Sequence, residues 1–163
     1  MKRSLLVIVV MIGLSQAKAQ LKTKADCGIM IVDVYKGWIN EVMPSADPER
    51  IKAKIPCFTS FEPESNESKC GGGIYYADKG LTVYIQREYF LMDEKFKGKM
   101  SVPLMGAKQG ALFTLLGNPK VKDANWEAYQ MSYGTLILYY NAKRVVSKIV
   151  MSTKTTDEIN LCD

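Results

Sequence analysis

Four cysteines, Cys27, Cys57, Cys70 and Cys162, are the most reactive side chains in this sequence, and histidine is absent from all 163 residues. Without an imidazole there is no Ser-His-Asp or Cys-His relay and no histidine-bound metal. No C-x-x-C pair occurs, so the spacing does not suit zinc, and neither a metal nor a cofactor is expected. The remaining chemistry of the cysteines is oxidation to disulfides, for which three connectivities exist. The pairs Cys57–Cys70 and Cys27–Cys162 are favoured. The first closes a segment rich in Pro, Ser, Glu and Asn that has little apolar content to fix it, and the second ties the chain ends together. In the chain-entropy account a loop of about 15 residues contributes about 3 kcal/mol, and one above about 100 residues nearly 5.

The acids Asp93 with Glu94, Glu62 with Glu64, and Asp157 with Glu158 are sequence neighbours. Carboxylates that cleave glycosidic bonds must face each other across about 5–9 Å. Adjacent acids on polar segments read instead as solvated loop residues. Gly71-Gly72-Gly73 lacks the lysine-serine ending and following helix of a phosphate loop, and is read as room beside Cys70 for the chain to enter a hairpin. These residues predict a protein that is not an enzyme.

The aromatic residues carry more information. Nine tyrosines, two tryptophans and five phenylalanines are present, concentrated in segments that read as strands. Successive strand side chains face opposite sides, so Tyr75 and Tyr76 cannot both be core, nor can Tyr139 and Tyr140. Tyrosine combines a large contact area and few rotors with a polar tip, which suits protein-binding surfaces. Tyr75, Tyr84, Tyr129, Tyr133 and Tyr139 form the candidate binding face, with Arg87, Lys143 and Arg144 as its polar rim. The alternative is cross-strand pairing that stabilises a half-exposed sheet. Asn66-Glu67-Ser68 also fits a glycosylation sequon, a three-residue match.

These groups need a compartment and a scaffold. Lys2 and Arg3, the apolar run from Leu5 to Leu14, and Ala17-Lys18-Ala19 have the layout of a secretory signal peptide at residues 1–19, cleaved after Ala19. The run is too short to span a bilayer, which needs about 20 apolar residues. Its removal takes three basic residues and no acids, so the net charge of +5 falls to +2. That leaves no concentrated basic character for nucleic acid. No cysteine stands at the cleavage point for a lipid anchor. The expected product, residues 20–163, is one periplasmic or secreted domain with no stable membrane insertion.

Asp26 can cap a helix through Ile29, Met30, Val34 and Trp38, although Ile29 and Ile31 also fit a strand and Gly37 weakens a helix. Asp47-Pro48-Glu49 is a firm helix start, with Ile51 and Ile55 on one face. Ile74–Tyr76 and Leu81–Ile85 flank the turn Ala77-Asp78-Lys79-Gly80 and read as a hairpin. Tyr89 to Phe96 is a further strand. Lys108–Leu116 reads as a helix stopped by Gly117-Asn118-Pro119. Strands are expected at Trp126–Met131, Leu136–Tyr140 and Val145–Met151. The tail after Thr153 is polar until Leu161. Helix, loop, tyrosine strand, glycine turn and apolar strand occur twice, with Gly80 matching Gly134 and Tyr75 matching Tyr129. This predicts pseudo-repeats over 26–97 and 98–163.

From Gly106 to Met151 this pattern resembles a helix-plus-antiparallel-sheet unit. The unit occurs in small outer-membrane-assembly lipoproteins of the SmpA/OmlA type and is doubled in secreted β-lactamase-inhibitor proteins. The residues that carry the resemblance are Leu116-Gly117-Asn118-Pro119, the aromatic strand with Trp126 and Tyr129, and the strands around Leu136–Tyr140 and Val146–Ile149. The chain lacks the lipoproteins' lipidation cysteine. The resemblance implies an α+β fold, short helices packed on an antiparallel sheet, and a sheet that grips another protein. The expected function is non-catalytic binding of a protein partner, as an inhibitor or immunity protein acting on an extracytoplasmic enzyme or toxin. An envelope-assembly scaffold or a carrier of a small apolar ligand are the alternatives.

Overall fold

Strand periodicity, with successive side chains on opposite faces, rather than helical periodicity organises the chain in the computed structural model, which describes residues 26–68 and 70–162. The export signal expected at residues 1–19, with its cleavage point after Ala19, lies outside these residues. The chain first forms β1 (Ile31–Asp33) and β2 (Trp38–Ile39), then helix α1 (Pro48–Lys54). A first meander follows: β3 (Ser60–Glu62), β4 (Gly73–Tyr76), β5 (Leu81–Tyr84) and β6 (Tyr89–Asp93). After β7 (Lys99–Met100) and the single turn α2 (Phe113–Leu116) comes a second meander. It comprises β8 (Val121–Lys122), β9 (Trp126–Met131), β10 (Gly134–Tyr140) and β11 (Val146–Ser152). The last strands of the two meanders pair antiparallel, which gives one eight-stranded sheet ordered β3-β4-β5-β6-β11-β10-β9-β8. A small sheet, β2-β1-β7, has β1 parallel to β7. The architecture is thus mostly antiparallel sheet with few short helices, the form that the α+β expectation takes here.

One face of the large sheet, the front, is dry. Ile74, Tyr76, Val83, Phe90, Leu136, Leu138 and Met151 on it pack with Val32, Val34 and Ile39 of the small-sheet region, Ile51 and Ile55 of the α1 region, and Leu104. Asp47 caps α1 by accepting from the Glu49 and Arg50 amides, and Pro48 opens it, as its sequence demands. The hairpin of β4 and β5 and the strands β9, β10 and β11 also form close to where the sequence places them, whereas β8 was not expected.

Three expectations are corrected. No helix runs from Asp26 to Trp38. Met30, Val32 and Val34 point inward at a period of two, and the Asp33 carboxylate accepts from the Tyr35 and Lys36 amides to turn the chain. Gly37 follows at φ 67°, where a Cβ would sit 2.5 Å from the Tyr133 ring. The helix read over Lys108–Leu116 shrinks to α2, because Lys108 bridges to Val145 and the Gln109 amide donates to Arg144 O at 2.9 Å. That pairing ties its first residues to the β10–β11 turn. The disulfides are Cys27–Cys57 and Cys70–Cys162, not Cys57–Cys70 and Cys27–Cys162. The reason is the sheet between them: Cys27 and Cys57 belong to the front core, whereas Cys162 packs on the back.

Candidate functional site

The back face of the large sheet is built from three aligned rows. One runs Tyr75, Thr82, Leu91, Val150, Ile137, Ala128, Val121 across seven strands. Beside it lie Tyr84, Tyr89, Ser152 and Thr135 on one side, and Asp93, Lys148, Tyr139 and Trp126 on the other. The Tyr84 and Tyr89 rings are 4.6 Å apart, and the Lys148 ammonium stands 4.1 Å from the Tyr139 ring centre, a geometry in which cation and ring attract. Tyr75 Oη donates to Glu62 Oε2 at 3.1 Å. Burial first, and then Glu62, raises the Tyr75 phenol above its ordinary pKa.

The C-terminal segment crosses this face as a strap. Ile159, Leu161 and Cys162 pack on the cluster around Tyr89, Ala128, Ile137 and Val150. The Cys162 amide donates to Tyr89 Oη at 2.8 Å, and Arg87 donates to the Asn160 and Leu161 carbonyls. Burial is the main cause that pushes the Tyr89 phenol up to about 12. At the strap's start, Glu88 accepts from Thr153 Oγ1 and from Lys154 Nζ at 2.7 Å. Between strap and sheet lies an apolar crevice of about 140 Å3 with Trp126, Tyr139, Ile159 and Leu161 in its walls.

Of the five candidate tyrosines, Tyr75, Tyr84 and Tyr139 share the back face and are half-buried. Tyr129 faces the front core at 4% exposure. Tyr133 sits in the β9–β10 turn against Gly37, with its hydroxyl buried and unbonded among the described residues. The rim residues also divide. Arg87 anchors the strap, Arg144 donates to the Ala124 carbonyl, and Lys143 is exposed.

Sequence reasoning missed Glu127, which is 3% exposed on the front face. Its carboxylate accepts from Tyr140 Oη at 2.6 Å, Tyr129 Oη at 2.8 Å and Gln109 Nε2 at 3.0 Å, with Lys122 Nζ at 3.3 Å. Burial opposes its charge, but the hydrogen bonds from Tyr140, Gln109, Tyr129 and Lys122 outweigh it and hold the carboxyl below its ordinary value. This is an ionised group whose oxygens are already occupied by donors. The paired acids are engaged singly: Glu62 with Tyr75, Asp93 with the Lys95 amide, Asp157 with Lys120 and Glu158 with Thr155. Ile159 and Leu161 were the legible signal for the strap, two apolar residues spaced to face one side ahead of a cysteine.

By class, the described residues form a two-layer, mainly antiparallel-sheet domain with two disulfides, which fit an oxidising compartment. Among them no helix is long and apolar enough to cross a membrane. Set against known proteins, the chain matches no family model, no curated protein and no solved structure.

Proposed function

We propose that this is an exported, non-catalytic protein that binds a protein partner on the back face of its large sheet, in the manner of an inhibitor or immunity protein. The observation that carries this reading is the placement of Tyr75, Tyr84 and Tyr139, with Trp126 and Leu91, on one face of the sheet, where each stays half-exposed beside the strap. Rigid aromatic side chains on a strand lose little entropy when a partner covers them. The crevice beside the strap has the volume of a site for one apolar side chain. The signal peptide at residues 1–19 belongs to this reading, as does a relation between the two meanders as repeated units, whose glycine turns at Gly80 and Gly134 open β5 and β10.

A photo-crosslinking residue placed at Tyr84 or Tyr139 in the producing cell tests the proposal. The expected result is one adduct protein shared by both positions and absent when the probe replaces Lys54 on α1. The purified partner should then bind the wild type and lose roughly 100-fold in affinity to Tyr84→Ala with Tyr139→Ala. Adducts that are the same from Lys54 as from the sheet positions would remove the proposed face.

A further inference from the structure

The outer surface of the small sheet is a separate place with a different chemistry. Asp33 and Trp38 are directly opposed in the β1–β2 register, and Ile31 and Asn40 are their neighbours on the same face. With Lys36, Glu41 and Lys54 these residues line an open hollow of about 440 Å3, inside the range of about 300–1,000 Å3 common for small-molecule sites. None of the back-face residues contributes to it.

Two kinds of surface meet there. Ile31 is 61% exposed and Trp38 is half-buried, so an apolar platform faces solvent. The Lys36 ammonium stands 5.0 Å from the Trp38 ring centre on a side chain that is 61% exposed. Around the platform the charges balance. Lys36 stands 3.7 Å from Asp33, and Lys54 stands 3.0 Å from Glu41. Two carboxylates and two ammonium groups produce no net charge to select an anion or a cation. They do supply acceptors and donors on both sides of an aromatic ring. Asn40 adds an amide whose Oδ1 is fixed by the Ile31 amide at 2.8 Å, leaving Nδ2 as a donor.

The backbone adds an independent observation. Asn40 and Glu41 are the central residues of a two-residue hairpin loop closed by Ile39 and Val42 at 3.0 and 3.1 Å, with φ 47° and 64°. Such loops favour glycine at the second central position. A glutamate in the left-handed region costs about 1 kcal/mol or more. The chain therefore holds a side chain beside the hollow that the turn itself disfavours.

We propose that this hollow is a carbohydrate-binding site. A pyranose ring has an apolar C–H face to lay on Trp38 and an uncharged rim of hydroxyls, each both donor and acceptor, to meet Asp33, Asn40, Glu41 and the two lysines. A purely apolar ligand would strip water from these groups and offer no hydrogen bonds in return.

The two tryptophans give two indole N–H signals, Trp38 in the hollow and Trp126 on the large sheet, so one nitrogen-15 NMR spectrum reads site and control together. The probes are cellobiose, chitobiose, maltose and soluble peptidoglycan fragments. The expected result is a saturable shift of the Trp38 signal alone with at least one probe, at a Kd of the order of 1 mM. A response to a disaccharide assigns free sugar as the source, and a response only to the fragments assigns a polymeric glycan. Glu41→Gly removes the side chain and relieves the turn. It should keep or raise Tm while weakening binding roughly tenfold. No Trp38 shift with any probe, an equal shift of Trp126, or unchanged binding by Glu41→Gly would overturn the proposal.

Discussion

The front and back of the eight-stranded sheet carry similar residues, mixtures of aliphatic and tyrosine side chains, yet they are finished in different ways. The front is closed by segments drawn from β1, β2, α1 and the stretch around Leu104, and its large side chains are sealed from water. The back is closed by a strap of about ten residues, held by a disulfide and by bonds to Glu88, Tyr89 and Arg87, with half-exposed aromatics on either side. Burial stabilises in proportion to apolar area removed from water. The front therefore supplies most of the packing energy, and the back supplies surface at little cost to the fold.

The largest test of this contrast removes each disulfide in turn. Cys70→Ser with Cys162→Ser opens a 92-residue separation, against 30 for Cys27–Cys57. In the chain-entropy account the first loss is about 4–5 kcal/mol and the second about 1 kcal/mol smaller. Chemical denaturation of the two double variants measures the difference. Equal losses would mean that local packing around Cys57 outweighs loop length.

Adjacent residues on β10 give the next comparison. Leu138 is fully buried on the front, and Tyr139 is half-buried on the back under Lys148. Leu138→Ala should cost about 3 kcal/mol and Tyr139→Ala about 1. A Tyr139→Ala cost as large as that of Leu138→Ala would show that the back face is core in all but name.

The smallest expected effect concerns charge on the front. Glu127 has a folded-state pKa below its ordinary 4.5, so its ionised form is the one that stabilises the fold. That contribution is present above pH 4.5 and is lost as pH falls through the lower folded value. Glu127→Gln should cost about 1 kcal/mol at neutral pH by leaving Tyr129, Tyr140 and Gln109 with a weaker acceptor. The deficit should shrink in urea titrations below pH 4.5. A deficit that stays constant into acid would mean that folding leaves the Glu127 pKa unchanged, and one that grows would mean that the carboxyl is protonated in the fold.

Much of this was readable along the chain. Asp47-Pro48-Glu49 fixes a helix start by local capping, and the alternation at Ile74–Tyr76, Trp126–Met131 and Leu136–Tyr140 fixes strands by local periodicity. The alternation also showed that Tyr75 and Tyr76, and Tyr139 and Tyr140, must part company across the sheet. The sequence was less decisive at Ile29–Val34. Both parities there are apolar, so period alone does not say that Met30, Val32 and Val34 go inward while Ile29 and Ile31 stay 60% and 61% exposed. Tyr129 and Tyr133 were placed with the binding face because no local signal reports Glu127 or Gly37 as their neighbours.

By itself the sequence determined the strands β4, β5, β6, β9, β10 and β11, the α1 cap, the histidine-free chemistry and the balance of charge, because each depends on residues a few positions apart or on composition. Only the tertiary structure decided which cysteines meet, which tyrosines share a face, and that the tail crosses the sheet. Those depend on which side of an eight-stranded sheet each segment returns to, and that choice is made by packing between residues as far apart as Cys70 and Cys162.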